Sequence, residues 1–310
     1  MGKFALTNAM IVDGTGCCPL EKGSVIINDR IIEAVGPSGD IPVPDGCETI
    51  DLENHTLMPT LIDGHVHVTK EPGPLTHMQH IECNLHAITR LQEYLRWGTG
   101  TVAHAAGSAD YVTLRDYIQR GLIRGCADML VSGTVNSTGG HVRGRDADGP
   151  WEVRKAVREM VRDGLDHIKT CASGGFQWKH EQLDYEDYTF PELLALVEEA
   201  HARGKRVHVH AHAQPGLRNA IRAGCDVILH GAHIDDEALD GIGENGLWYM
   251  PTLYITSETV RKNSSAWPAH IRERMERAHP IHREGVAKAY ALGLKIITGT
   301  DGISPDAMMT

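Results

Sequence analysis

The chain has 310 residues, 41% hydrophobic but only 5% aromatic, so it can bury a sizeable core of aliphatic side chains in one large domain, or one large and one small. Its formal net charge of -11 argues against a nucleic-acid partner, which needs a basic face, and the spread of acidic residues along the chain reads as solubility. Histidine is the outlier, with 19 residues, many at the ends of apolar runs.

Residues 1–57 differ in pattern from the rest of the chain. Short β-rich runs at 4–12, 24–27 and 30–35 are broken by turn signals such as Asp13-Gly14-Thr15-Gly16 and Asn28-Asp29. Pro37, Pro42 and Pro44 make a loop, and 50–52 and 56–58 add further strands. This predicts a small β unit beside a main domain over 58–310.

From there the chain alternates. Strands are predicted at 61–68, 101–105, 129–132, 167–170, 207–212, 227–230, 248–252 and 295–300. Helices are predicted at 76–97, 111–120, 151–163, 191–203, 216–223, 235–244 and 268–292, several closing on a glycine such as Gly164, Gly204 or Gly224. Eight strands with helices between them point to a (β/α)8 barrel; a doubly wound sheet is disfavoured because no glycine-rich phosphate loop follows an early strand.

In such a barrel the chemistry sits at the C-terminal ends of the strands. The first strand ends in His65 and His67, two apart and therefore on one face, a spacing that lets two imidazoles hold one metal ion. The fourth carries Lys169, followed by Ser173-Gly174-Gly175; the sixth ends in His230; the eighth runs into Gly299-Thr300-Asp301. On the fifth, His208, His210 and His212 share a face, so spacing alone does not choose among them, and His230 competes with His233. The seven cysteines are odd in number and include no C-x-x-C pair, which predicts reduced thiols in a cytoplasmic protein and no thiolate zinc site. Neither a signal peptide nor a membrane-spanning run is expected.

This set resembles the amidohydrolase superfamily of metal-dependent hydrolases, and within it the imidazolonepropionase-like and prolidase-like members. The resemblance spans nearly the whole chain: the opening Leu6 to Gly14, Leu57 to His67, Ile168-Lys169 with its Ser-Gly-Gly, the His210-Ala211-His212 of the fifth strand, and Gly299-Thr300-Asp301. It implies a barrel with a sandwich-like N-terminal unit. It also implies two divalent metal ions of the zinc type. His65 and His67 would hold one, His210 and His230 the other, and a carbamylated Lys169 would bridge them, since a lysine neutral through burial takes up CO2. A bridging hydroxide would be the nucleophile, with Asp301 as weak ligand, base and proton shuttle. His141 and His212 would contact substrate, and Arg143 and Tyr254 are loop candidates for a substrate carboxylate.

The expected reaction is hydrolysis of an amide bond in a small substrate such as a dipeptide or N-acyl amino acid. A mononuclear hydrolase or deaminase is the alternative, Lys169 speaking against a deaminase; a non-catalytic assembly module is the third reading. A homo-oligomer is left open; nucleic acid and membrane are not expected partners. Trp178, Tyr185, Tyr188 and Phe190 are expected to wall the pocket with aromatic surface. Thr60 stands where the family has glycine. Members continue past the aspartate with an eighth helix and strands returning to the N-terminal unit, which a chain ending at Thr310 is expected to lack.

Overall fold

The chain divides into two units, Met1–Leu61 and Ile62–Thr310. The computed structural model describes residues 2–69, 76–105, 107–142, 144–263 and 267–302. The first unit holds β1 (Lys3–Ile11), β2 (Leu20–Asn28), β3 (Ile31–Pro37), β4 (Glu48–Asp51) and β5 (Thr56–Leu57) in one sheet of order β3-β2-β1-β4, with β5 also pairing β1. Ala9, Ile11 and Val25 form its apolar cluster with Leu6, Leu20, Ile27, Leu52 and Leu57; register shifts between β1 and β2, with left-handed backbones at Asn8 and Lys22, interrupt strict alternation and bring Leu6 and Leu20 to this side.

The second unit alternates strand and helix: β6 (Leu61–Val66), α1 (His77–Arg96), β7 (Thr99–His104), α2 (Ala109–Gln119), β8 (Asp128–Asn136), β9 (Arg145–Asp146), α3 (Gly149–Arg162), β10 (His167–Cys171), α4 (Phe190–His201), β11 (Val207–Ala211), α5 (Gly216–Ala223), β12 (Val227–His230), α6 (Asp236–Glu244), β13 (Trp248–Met250), a 3-10 turn (Leu253–Thr256), α7 (Glu258–Asn263), α8 (Ala269–Ala291) and β14 (Lys295–Ile296). Helix starts follow local chemistry. At α1, the Gln79 side chain accepts from the Thr76 amide and Thr76 Oγ1 accepts from the Gln79 amide; at α4, Glu192 accepts from the Thr189 amide at 2.9 Å. Asp235 caps α6 by accepting from the Ala238 amide. No helix among the described residues is long and apolar enough to cross a membrane.

The sheet order is β14-β13-β12-β11-β10-β8-β7-β6, with β9 beside β8, and the pairings from β7 to β14 are parallel. This is a curled α/β sheet with its helices on the outer face. Val66, Val102, Ile168, Val209 and Ile228 pack outward against Leu91, Val157, Leu196 and Leu217. Val227, Leu229 and Met250 face the other way, with Ile297.

The last strand is shorter than expected. Only Lys295–Ile296 ladder with β13, and the segment after them turns to β6. There Gly64 N donates to Thr298 O at 2.9 Å, Asp301 N to His65 O at 2.8 Å, and His67 N to Gly302 O at 2.9 Å. Asp301 adopts a left-handed backbone (φ +58°), which a continuous strand would not allow.

Candidate metal centre

Five of the predicted residues, His65, His67, His210, His230 and Asp301, come together on the concave side of this sheet, and Lys169 lies on the same inward face. On β6, Asp63 and His65 share the inward face, and His67 continues it. Nε2 of His65 and Nε2 of His67 lie 3.3 and 3.2 Å from Oδ1 of Asp301. These three side chains bring one ligand atom each within 4.8 Å of one another, the one such group among the described histidine, cysteine and acidic residues. On β10, Ile168 and Ala172 face the helices, so Lys169 and Cys171 face inward. On β11, Val207, Val209 and Ala211 belong to the helix-side core, which leaves His208, His210 and His212 inward.

His230 reaches the cluster by a different route. Its register partner is Ala211, and its neighbour Ile228 packs on the helix side, so strict alternation would send the imidazole outward. A left-handed backbone at His230 (φ +71°) turns it back, 4.6 Å from the His210 ring and 5.4 Å from that of His65. Such strain in a residue other than glycine costs on the order of 1–3 kcal/mol and persists only where the surroundings hold it. Here Thr252 Oγ1 lies 2.6 Å from His230 Nδ1, and the His230 carbonyl accepts from Tyr249 OH and His282 Nε2, both at 2.9 Å.

Burial sets the charge states. It pushes the His65 imidazole down to about 4, and those of His210, His212 and His230 well below the usual histidine range, so these rings are neutral. Burial also lowers the Lys169 ammonium, and among the described residues no carboxylate forms an ion pair with it. For Asp301 burial acts upward, but the hydrogen bonds from His65 and His67 act against it, and the carboxyl stands well below its ordinary value. Neutral imidazoles, an ionised carboxylate and a lysine inclined to the neutral form are the donor set a divalent metal needs, so the residues fit such an ion.

The other predicted residues divide. His212 accepts from the Ala232 amide at Nδ1 (3.4 Å) and touches Phe176 edge-on at 4.8 Å. His141 stacks on His210 at 4.1 Å. Tyr254 stands on the 3-10 turn just past Thr252, half-buried, with burial raising its phenol. Arg143 lies outside the described residues. His208 tilts against His167 at 4.3 Å, away from the centre.

The expected aromatic wall takes another form. The fully buried Tyr188 spends its hydroxyl on Ala147 O at 2.6 Å, and Phe190 lies under the Arg222 guanidinium at 4.3 Å. Tyr185 borders an acidic cleft with Asp184, Glu186 and Asp187. Trp178 donates to His141 O at 2.8 Å, and Phe176, which was not anticipated, is the aromatic side chain against His212.

Other contributors were also missed. Asp63 accepts from the amides of His65 (3.3 Å) and Thr300 (3.0 Å) and from Thr300 Oγ1 (2.6 Å), tying both halves of the His65–Asp301 pair together. Its place two residues before His65, on the same face, was a usable signal. Thr252, His282 and Glu181 had none, because each acts from a distant element.

The profile of the Amidohydrolase family matches residues 56–310. The chain belongs to the amidohydrolase family, and as a member it is a hydrolase of amide bonds. It is 26% identical to the ochratoxinase of Aspergillus niger over 94% of this chain and 67% of that protein. A crystal structure of a Xaa-Pro dipeptidase with methionine bound in the active site is 31% identical and superposes with a TM-score of 0.82, covering 97% of this chain and 79% of that one. A prolidase complexed with N-methylphosphonate-L-proline is 26% identical with a TM-score of 0.88, covering 98% and 80%.

Proposed function

We propose that this chain is a two-metal hydrolase cleaving the amide bond of a small substrate, a dipeptide or N-acyl amino acid. The observation that carries the reading is Lys169: buried, without a carboxylate ion-pair partner among the described residues, and close enough for its charge to act on His65, His210 and His230 together. A lysine so placed suits conversion to a carbamate, which would supply an anionic ligand to the ions.

His65 and His67 would hold one ion with Asp301, and His210 and His230 the other. When bound, the ions supply Lewis acidity, making a water molecule more acidic and drawing charge from the scissile carbonyl. The ionised, recessed Asp301 takes the proton as the water oxygen bonds to the carbonyl carbon. It returns that proton to the nitrogen as the C–N bond breaks, so the products are a carboxylic acid and an amine. His212 and His141 orient the substrate from β11 and from the loop after β8. The names of the prolidase and Xaa-Pro dipeptidase neighbours support a dipeptide-like substrate. The backbone bonds between 64–67 and 298–302 support closure of the sheet into a (β/α)8 barrel.

Among the described residues the tight grouping is of His65, His67 and Asp301, which favours a second reading, a one-metal hydrolase. Elemental analysis of protein purified without chelator, with and without bicarbonate, separates the two. About two zinc-like ions per chain, reduced in Lys169→Ala, with turnover of a panel of dipeptides and N-acyl amino acids, is the expected result. One ion unaffected by Lys169→Ala supports the second reading; no metal removes both.

A further inference from the structure

Glu181 lies in the chain between β10 and α4, and its side chain is buried, 6% exposed. One carboxylate oxygen, Oε1, accepts from the Trp178 amide at 2.7 Å; the other, Oε2, lies 2.8 Å from Nδ1 of His141. Burial works against the ionised carboxyl, but the hydrogen bond and charge of His141 hold it below its ordinary value. An ionised carboxylate only accepts, so the proton between the two groups sits on His141 Nδ1.

The support for this pair is unusually complete. Arg274 on α8 extends its guanidinium into the Glu181 loop and donates to the carbonyls of Trp178 and Glu181 at 2.7 Å, of Lys179 at 3.1 Å and of Phe176 at 3.3 Å. The loop is thus wrapped around a cation anchored on a long helix. His141 is gripped on several sides: its amide donates to Asp187, its carbonyl accepts from Trp178 Nε1, and its ring edge lies so close to Gly175 that a Cβ there would stand 2.2 Å from Cε1. Nε2 is left without a hydrogen bond to protein among the described residues, on a ring stacked against the candidate metal ligand His210.

We propose that Glu181, fixed by Arg274, is the positioning residue for His141: it holds Nδ1–H and so makes Nε2 the nitrogen offered to the substrate beside His210. A partner that fixes the tautomer and plane of an active-site imidazole changes activity about tenfold or more when lost. This inference rests on the hydrolase reading for its kinetic arm alone.

The test uses the full chain loaded with zinc, as wild type, Glu181→Gln, His141→Ala and the double variant. Glu181→Gln keeps the shape and removes the charge, so folding is preserved. The expected result is a fall in kcat/KM of about tenfold for Glu181→Gln, and a double variant no worse than His141→Ala alone. In ¹⁵N-histidine spectra, with His141 assigned by its loss in His141→Ala, the wild-type ring is expected to show a protonated Nδ1 whose proton, drawn downfield by the carboxylate, moves upfield in Glu181→Gln. Losses that multiply in the double variant would overturn the proposal. So would a His141 signature unaltered by Glu181→Gln. If the wild type hydrolyses no member of the panel, the function reading fails, and the ring signature still decides this one.

Discussion

Nε2 of the buried His282, on α8, donates to the carbonyl oxygen of His230 at 2.9 Å, while its Nδ1 accepts from Thr256 Oγ1 at 2.9 Å. The second donor on that carbonyl is Tyr249 OH. The peptide that turns His230 inward is therefore held from two elements distant in sequence. His282→Leu is expected to cost about 1–3 kcal/mol, because Thr256 is left with only its long 3.4 Å bond to Leu253 O and the His230 carbonyl loses one of its two donors in a dry site. It is further expected to weaken zinc retention about tenfold, since the left-handed backbone at His230 loses a restraint. Urea denaturation and competitive zinc titration read the two effects separately; unchanged zinc affinity would show that Tyr249 alone suffices.

The metal-free protein should lose stability in acid in two stages. Burial holds His104 at about 3 and His282 at about 4, against 6.5 for a free imidazole. Depressed histidines bind fewer protons folded than unfolded, so their contribution is complete above about pH 6.5 and is lost as pH falls toward the folded values. Glu199 acts in a lower window. Its hydrogen bond to Arg158 lowers its carboxyl most, burial opposes, and Arg203 and Arg154 add to the lowering, so its contribution is lost below about 4.5. Melting temperature should therefore fall from about pH 6.5 downward and fall more steeply below about 4.5. A melting temperature constant down to about pH 4.5 would contradict the first stage.

What was legible in the sequence was whatever depends on period. Two-residue spacing put His65 with His67 and His208 with His210 and His212 on common faces, and glycines after helical patterns marked the alternation of elements. His230 lay beyond that logic, because its direction depends on a left-handed backbone that alternation does not encode. Glu181 lay beyond it too: it meets His141 across 40 residues, through a loop shaped by Arg274 on a third element. The aromatic wall failed for the same reason. Tyr188 and Phe190 sit in the right stretch, but composition does not say which way a ring points. The short final strand was missed because Thr298, Asp301 and Gly302 spend their backbone groups on β6.

Phe176 rather than Tyr185 is expected to set preference for an apolar substrate part, because its ring meets His212 edge-on whereas Tyr185 borders the acidic cleft. Phe176 also packs with Ala232, Met275 and Ala278, so Phe176→Leu is the better probe: it keeps most of the volume and removes the ring. An aromatic edge contact is worth about 0.5–1.5 kcal/mol, which corresponds to roughly a two- to tenfold rise in KM for substrates with an aromatic part. Tyr185→Ala should leave KM unchanged. Steady-state kinetics on paired aromatic and small substrates decide it, and equal KM changes for both classes would remove Phe176 from the specificity argument.

Two glycines flank the His65–Asp301 pair and should respond differently to a methyl group. At Gly64 an added Cβ would stand 2.9 Å from the Thr298 carbonyl oxygen, the same atom that accepts from the Gly64 amide, and 2.7 Å from Met250 Cε. The backbone cannot give without opening the bonds that join β6 to the segment after β14. At Gly299 the Cβ would meet Met250 Sδ at 2.5 Å and His65 Cβ at 3.1 Å, and a thioether chain has rotamers into which it can retreat. Gly64→Ala is therefore expected at or above the upper end of the about 1–3 kcal/mol range for overpacking, with loss of bound zinc, and Gly299→Ala near its lower end. Adding Met250→Ala should relieve the Gly299 variant and leave most of the Gly64 penalty in place. Denaturation curves for the two single and two double variants test this; equal relief in both would mean that the side chain, and not the Thr298 carbonyl, is what the glycine at position 64 makes room for.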